Sequence, residues 1–175
     1  WKLSDLPARQ VIGSGTVLDS SRFRYILSQR CNIDARNIHG YIIGEHGDSE
    51  VPVWSATNIV GLPFEQFNEV CDQNKSNGSK KEIISKIKNA AYEIIDRKGA
   101  TYYAIALAVD RIVKSLIRDE NSILTLSTLL QGEYGLQGLY LSLPCIINRN
   151  GIREILELEL STSEEKALQD SAEVL

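Results

Sequence analysis

Gly44-Glu45-His46-Gly47-Asp48-Ser49 brings a titratable ring, two carboxylates and two glycines into one short run. An imidazole both gives and takes a proton near neutral pH, and glycines beside it let backbone and substrate come close. The apolar run from Ile38 to Ile43 leads in and Val51-Pro52-Val53-Trp54 leads out, which predicts a tight loop between two extended arms. Site residues carried on a loop between rigid elements are a common construction. A histidine alone in a loop is more often a solvated ring. A catalytic reading therefore needs an orienting carboxylate and a substrate clamp from elsewhere in the chain.

The helix predicted from Val17 to about Cys31 offers both. Leu18, Phe23, Ile26 and Leu27 fall at helical spacing, with Thr16 as its expected cap. Asp19 and Arg22 are three residues apart and share a face, whereas Arg22 and Arg24 are two apart and point nearly opposite ways. One reading of Asp19 and Arg22 is a surface ion pair worth under about 1 kcal/mol. The other is a carboxylate that orients the imidazole and a guanidinium that grips a substrate carboxylate, both from one rigid turn.

Further elements frame this core. Gly13-Ser14-Gly15 suits close backbone packing at a turn, but no GxGxxG phosphate-cradling run occurs in the chain. Phe64 and Phe67 are expected to bury, and Asn68 to Ser79 reads as a connecting loop. Ile83, Ile84, Ile87, Ala90, Ala91, Ile94 and Ile95 make one apolar helical stripe that Gly99 interrupts. A second helix starts at Thr101, which is either a pocket wall or a helix cap, and runs to about Leu116. Strands are expected at Ser122 to Leu130, Leu139 to Ile147 and Ile152 to Leu160, then a helix from Ser161 to Leu175 opened by the capping box Ser161-x-x-Glu164. Long helices on a late antiparallel sheet make the fold class α+β.

Composition bounds the function. At 175 residues, 43% hydrophobic and with net charge −4, the chain can bury a core and has no basic footprint for nucleic acid. No apolar run approaches the ~20 residues that span a bilayer, and no signal peptide is visible. Three cysteines, Cys31, Cys71 and Cys145, are far apart and in no CxxC spacing, so they are expected to be incidental or buried thiols in a reducing, cytoplasmic compartment. The chain starts at Trp1 and has no methionine, and so reads as a piece of a longer protein.

Taken together, VIGSGTVLDSSRFR (Val11 to Arg24), GEHGDSEVPVWS (Gly44 to Ser55) and KGATYYAI (Lys98 to Ile105) resemble the C-terminal, substrate-binding domain of bacterial L-lactate dehydrogenases, over essentially all 175 residues. The resemblance implies a lactate/malate dehydrogenase C-terminal domain over 1–175, without the N-terminal NAD-binding domain and its mobile loop arginine. It implies His46 as proton donor and acceptor, Asp19 as its partner, Arg22 as the clamp on the substrate carboxylate and Thr101 as a pocket wall. Ser14 and Ile105 match positions near the nicotinamide of NAD. Arg24 and His39 match positions that bind fructose 1,6-bisphosphate across a two-fold interface, which implies a homotetramer acting on pyruvate and L-lactate. Moving a hydride to a ketone leaves an alkoxide to be protonated, and a histidine held charged by a carboxylate suits that task.

Two other readings compete. Malate dehydrogenase of the related subfamily shares the Asp, Arg and His triplet, although Val51 to Ser55 and Thr101 look more like lactate dehydrogenase. A non-catalytic oligomerisation or metal-binding module would use His39, His46 and Asp48, but two histidines without a partnered cysteine are too few for zinc, so no metal is expected.

Overall fold

In the computed structural model, which describes residues 1–71 and 79–175, the largest sheet is an antiparallel meander. Strands β6 (Ser122–Gln131), β7 (Gln137–Asn148) and β8 (Gly151–Ile155) lie in the order β6-β7-β8. Before them come short arms β1 (Ile38–His39), β2 (Ile42–Ile43), β3 (Val51–Pro52), β4 (Asn58–Ile59) and β5 (Leu62–Pro63). They pair as β1-β4-β5 and β2-β3, all antiparallel. The helices are α1 (Val17–Cys31), α2 (Phe64–Cys71), α3 (Lys80–Lys98), α4 (Tyr103–Ile117) and α5 (Thr162–Ala172). The class is α+β, as the order of elements indicated.

Helix α1 joins two apolar cores. Phe23 and Leu27 pack with Ile38, Ile42, Phe64 and Ile87, while Val17 packs with Ala108, Leu126 and Ile147. The Trp54 ring stands edge-on to Phe23 at 5.0 Å and tilted to Phe64 at 5.1 Å, tying the outgoing arm to α1 and α2. Such aromatic pairs add about 1 kcal/mol to the area they bury. A third core joins Ile43, Val51 and Val53 of the arms to Leu141, Leu143 and Leu168.

The polar seam matters as much as the cores. Thr16 occupies the N-cap position of α1 as expected, but its side chain makes no cap bond. Its Oγ1 donates instead to the Ile42 carbonyl at 2.5 Å. Ser20 Oγ accepts from the Ile42 N–H at 2.9 Å and bonds Thr125 Oγ1 at 2.9 Å. Since buried polar groups must be paired, this network leaves α1 one seat against β2 and β6. Two bridges complete it, Gly13 to Ser127 of β6 and Gly44 to Ser142 of β7.

Several expectations are corrected. Residues Asn68 to Cys71, expected in a loop, close α2, and the remainder of that expected loop before Ser79 lies outside the described residues. The last strand stops at Ile155 rather than Leu160: Leu156 N–H still reaches the Pro144 carbonyl at 2.8 Å, but proline has no N–H to return. Helix α4 begins after Tyr102, so Thr101 is not its cap. The capping box of α5 is present, and Glu164 also accepts from Ser55 N–H at 3.0 Å.

The cysteine reading is also corrected. Cys31 ends α1 and Cys71 ends α2, and their sulfurs form a disulfide, while Cys145 is buried and free. Sequence spacing could not reveal this because two helix ends meet only after both pack on the Phe23–Trp54–Phe64 cluster. A bond across a sequence separation of 40 stabilises by roughly 4 kcal/mol on the chain-entropy account. Thermal unfolding should therefore drop by several degrees when dithiothreitol is added, and a Cys31→Ser, Cys71→Ser double variant should ignore the reductant. Equal melting with and without reductant in the unsubstituted chain would contradict this pairing.

Candidate active site

Asp19 sits in the first turn of α1 with its side chain 3% exposed, and its two oxygens are divided between two cations. Oδ1 accepts from Arg22 Nη1 at 3.1 Å, and Oδ2 lies 2.7 Å from His46 Nδ1. With Nδ1 held this way, the proton-bearing nitrogen left for chemistry is Nε2. The separation of Asp19 from His46 is set by the Thr16 and Ser20 bonds to Ile42, because β2 leads directly into the loop that carries the ring.

The loop is fixed from both sides. Gly44 has φ +91°, and a Cβ there would lie 2.6 Å from Ser171 Oγ of α5. That same hydroxyl accepts from Glu45 N–H at 2.8 Å, and Ser49 Oγ donates to Glu45 Oε2 at 2.7 Å. From α3, Lys88 Nζ donates to the Asp48 carbonyl. Gly15, at φ +51°, brings the Ser14 turn within reach of β6, where a Cβ would meet Ser127 N at 2.5 Å.

His46 borders two cavities. One, of about 130 Å³, is lined by Asp19, Arg22, His46, Glu50, Lys88 and Tyr92 among others. The other, of about 300 Å³, is lined by Ser14, Gly15, Gly44, His46, Tyr140 and Ser142 among others. The imidazole can therefore serve a ligand held by Arg22 on one side and a second group on the other.

The remaining expected residues are distributed unevenly. Ser14 lines the larger cavity, but Ile105 packs at the edge of the core around Val17 and Ala108 and lines neither cavity. Thr101 is half-buried in the short link between α3 and α4 and also lines neither. Arg24 turns away from Asp19, as its helical spacing required. It donates to the Gly40 carbonyl at 3.1 Å and to Ser21 Oγ at 3.1 Å, and burial lowers its pKa. His39, adjacent to Gly40, is exposed. Arg24 thus reaches the backbone of the residue that follows His39, and neither side chain lines the two cavities beside His46.

Glu50 was missed. A period-two reading of the outgoing arm turns it away from Val51, yet Glu50 to Trp54 are all buried. Its Oε1 has no hydrogen-bond partner among the described residues, and burial, with Asp19 nearby, pushes its pKa up to about 7. Ionising it works against the fold, so its effect is to lower stability as pH rises from the ordinary carboxylate range to about 7. Asp19, His46 and Glu50 are the one set of three possible metal ligands among the described residues. His39 and Asp48 join no such set there. Arg22 and Lys88 bring positive charge to the same cavity and His46 Nδ1 is engaged by Asp19, so the site suits an anion better than a resident cation.

The hydrogen bond to Asp19 raises the pKa of His46, against a smaller opposing effect of burial, and Asp19, Glu50 and Glu45 add attraction for the charged ring. The pair therefore stabilises the fold below the ordinary imidazole pKa, and that stability is lost as pH rises through the raised value. Asp19→Asn should move the His46 titration, followed by NMR of the ring protons, to lower pH. An unmoved titration would mean that Asp19 does not hold the imidazolium.

The model of the lactate/malate dehydrogenase alpha/beta C-terminal domain matches residues 16–175. The chain is 57% identical over all 175 of its residues to an L-lactate dehydrogenase of Thermoanaerobacter pseudethanolicus, covering 56% of that protein. It is 53% identical, with the same coverage, to L-lactate dehydrogenase 1 of Clostridium acetobutylicum. Among solved structures, the ligand-bound minor L-lactate dehydrogenase of Enterococcus mundtii superimposes with a TM-score of 0.91 at 41% identity, over 99% of this chain and 55% of that one. An L-lactate dehydrogenase from Clostridium thermocellum gives 0.89 at 46% identity, over 99% and 56%. The chain spans about half the length of the relatives it matches. With its α1, its arms and its meander all inside the matched span, the chain belongs to the lactate/malate dehydrogenase C-terminal domain family.

Proposed function

We propose that this chain is the substrate-binding and proton-transferring part of an NAD-dependent L-lactate dehydrogenase that interconverts pyruvate and L-lactate. The observation that carries the reading is the division of Asp19 between Arg22 and His46 on the wall of one cavity. Arg22 gives one N–H to Asp19, and its fork has further donors for a substrate carboxylate. A 2-oxo acid gripped there presents its ketone oxygen to His46 Nε2. In reduction the imidazolium hydrogen-bonds that oxygen, which polarises the carbonyl, and gives up its proton as negative charge develops. In oxidation the neutral ring takes the hydroxyl proton back. Asp19 holds the tautomer and favours the charged ring throughout.

Bound NADH would supply the hydride. The larger cavity fits a flat ring carrying an amide, because it has backbone walls at Gly13, Gly15 and Gly44, the Ser14 hydroxyl, and a Tyr140 hydroxyl that is buried and unpartnered among the described residues. The chain itself has no glycine-rich dinucleotide turn. The reading therefore includes a separate NAD-binding domain in the same polypeptide, with 1–175 as its C-terminal partner. The names of the relatives favour lactate over malate.

Arg24 and His39 support a second part of the proposal: a homotetramer activated by fructose 1,6-bisphosphate, with Arg24, His39 and their two-fold copies around the effector. The supporting geometry is the bond from Arg24 to the carbonyl of Gly40, the residue that follows the exposed His39. Leu107 at 70% and Ile117 at 74% exposure leave an apolar face on α4 that suits a protein neighbour.

In the full-length protein, His46→Asn should lower the rate of pyruvate reduction by roughly 10²–10⁴-fold with little loss of oxamate binding. Arg22→Lys should mainly weaken oxamate and pyruvate binding, since an ammonium lacks the bidentate fork. Loss of the same parameter in both variants would contradict these roles, and robust NADH oxidation by the 175 residues alone would contradict the domain assignment. A titration of fructose 1,6-bisphosphate against pyruvate saturation should activate the unsubstituted enzyme more than Arg24→Gln or His39→Gln, and less at high salt. Equal response in all three would remove the effector from this site.

A further inference from the structure

Glu50 is unusual for a structural acid. It is 7% exposed, and its Oε1 has no partner in hydrogen bonding among the described residues. An ionisable group kept buried without a partner costs stability, and a neutral amide of the same shape would fill the space at less cost. Its backbone does make a bond, N–H to the Gly47 carbonyl at 3.3 Å, but that bond does not depend on the side chain. The carboxylate lines the cavity of Arg22 and His46, and one oxygen of it lies within 4.8 Å of both a His46 nitrogen and an Asp19 oxygen. That distance is short enough for one charge to move the titration of the other.

Resting on the dehydrogenase reading above, we propose that Glu50 is a positioning residue of the proton-transfer couple, a second carboxylate whose negative charge holds His46 as imidazolium. Asp19 does this in direct contact, its Oδ2 2.7 Å from His46 Nδ1, and Glu50 does it across a longer gap. The two differ in when they act. Asp19 shares its charge with Arg22, whereas Glu50 exchanges its own proton near pH 7, where burial and the repulsion of Asp19 have raised it. Below that pH Glu50 is neutral and His46 depends on Asp19 alone. Above it the new charge on Glu50 opposes the loss of the proton from His46, so the supply of acid for ketone reduction persists further into the alkaline range.

The charged and titratable groups around Glu50 are Asp19 and Arg22 from α1, Glu45, His46 and Asp48 from the loop, and Lys88 and Tyr92 from α3. On its other side Glu164 and Asp170 of α5 line a cleft that Glu50 and Lys88 also reach. Asp19 raises the pKa of Glu50, while Lys88, His46 and Arg22 lower it. Lys88 is the one of these cations not hydrogen-bonded to Asp19, and it is therefore the lever by which the pH of the switch can be moved.

Glu50→Gln copies the neutral acid in shape and cannot ionise. In the full-length protein, the ring resonance that disappears in His46→Asn should titrate at lower pH in Glu50→Gln than in the unsubstituted protein. The ratio of kcat/KM for pyruvate, unsubstituted over Glu50→Gln, should be close to one at acid pH and grow as pH rises past about 7. Glu50→Asp should restore part of the difference. Lys88→Gln should move the onset of that growth to higher pH, which also tests the idea should Glu50→Gln fold poorly. An unmoved His46 titration in Glu50→Gln, or a deficit of equal size at every pH, would overturn the proposal. The NMR titration needs no substrate, so it decides the role of Glu50 even if the protein proves inert toward pyruvate, a result that would instead remove the dehydrogenase reading.

Discussion

One buried carboxylate with two cationic partners organises this domain. Asp19 can be buried as an anion only because Arg22 and His46 share its two oxygens. The partners come from places far apart in sequence, the next turn of α1 and the loop beyond β2. That arrangement demands that α1 and β2 be locked together to within a fraction of an ångström. The Thr16, Ser20 and Thr125 hydroxyls accomplish the locking, since each would be an unpaired buried group in any other seating. Apolar packing brings α1 to the sheet, and the hydroxyls choose where it stops.

The remaining structure follows from holding a loop still on one side and leaving it open on the other. Ser171 from α5 and Lys88 from α3 hold the Glu45–Ser49 turn by its backbone, which leaves the His46 side chain 57% exposed between two cavities. An exposed ring with a buried partner suits proton transfer, because the reacting nitrogen faces the ligand while the other is fixed. The surrounding charge is of both signs, with Arg22 and Lys88 lining the same cavity as Asp19 and Glu50.

Much of this was legible in the residues, for reasons that can be named. The bounds of α1 followed from apolar spacing, and its three-residue Asp19–Arg22 step fixed their common face. The capping box at Ser161 and Glu164 is a local signal and was read correctly. Contacts that arise only when distant segments meet were not legible. Cys31 and Cys71 are joined by helix packing, Thr16 faces a carbonyl 26 positions away rather than its own helix, and the buried Glu50 shares its surroundings with residues of α1, α3 and α5. Thr101 lies in the link before α4 and Ile105 in the first turns of α4, and neither lines the two cavities beside His46. Family likeness supplied the chemical roles, which spacing alone left open between an ion pair and a catalytic couple.

The central claim is that Asp19 arms His46 for a 2-oxo acid gripped by Arg22. A crystal structure of the full-length protein with NADH and oxamate tests it most directly. The account predicts the oxamate carboxylate on the Arg22 guanidinium, its ketone-like oxygen on His46 Nε2, and Nδ1 still bonded to Asp19. Oxamate bound elsewhere, or a His46 ring turned away from Asp19 in the complex, would contradict it.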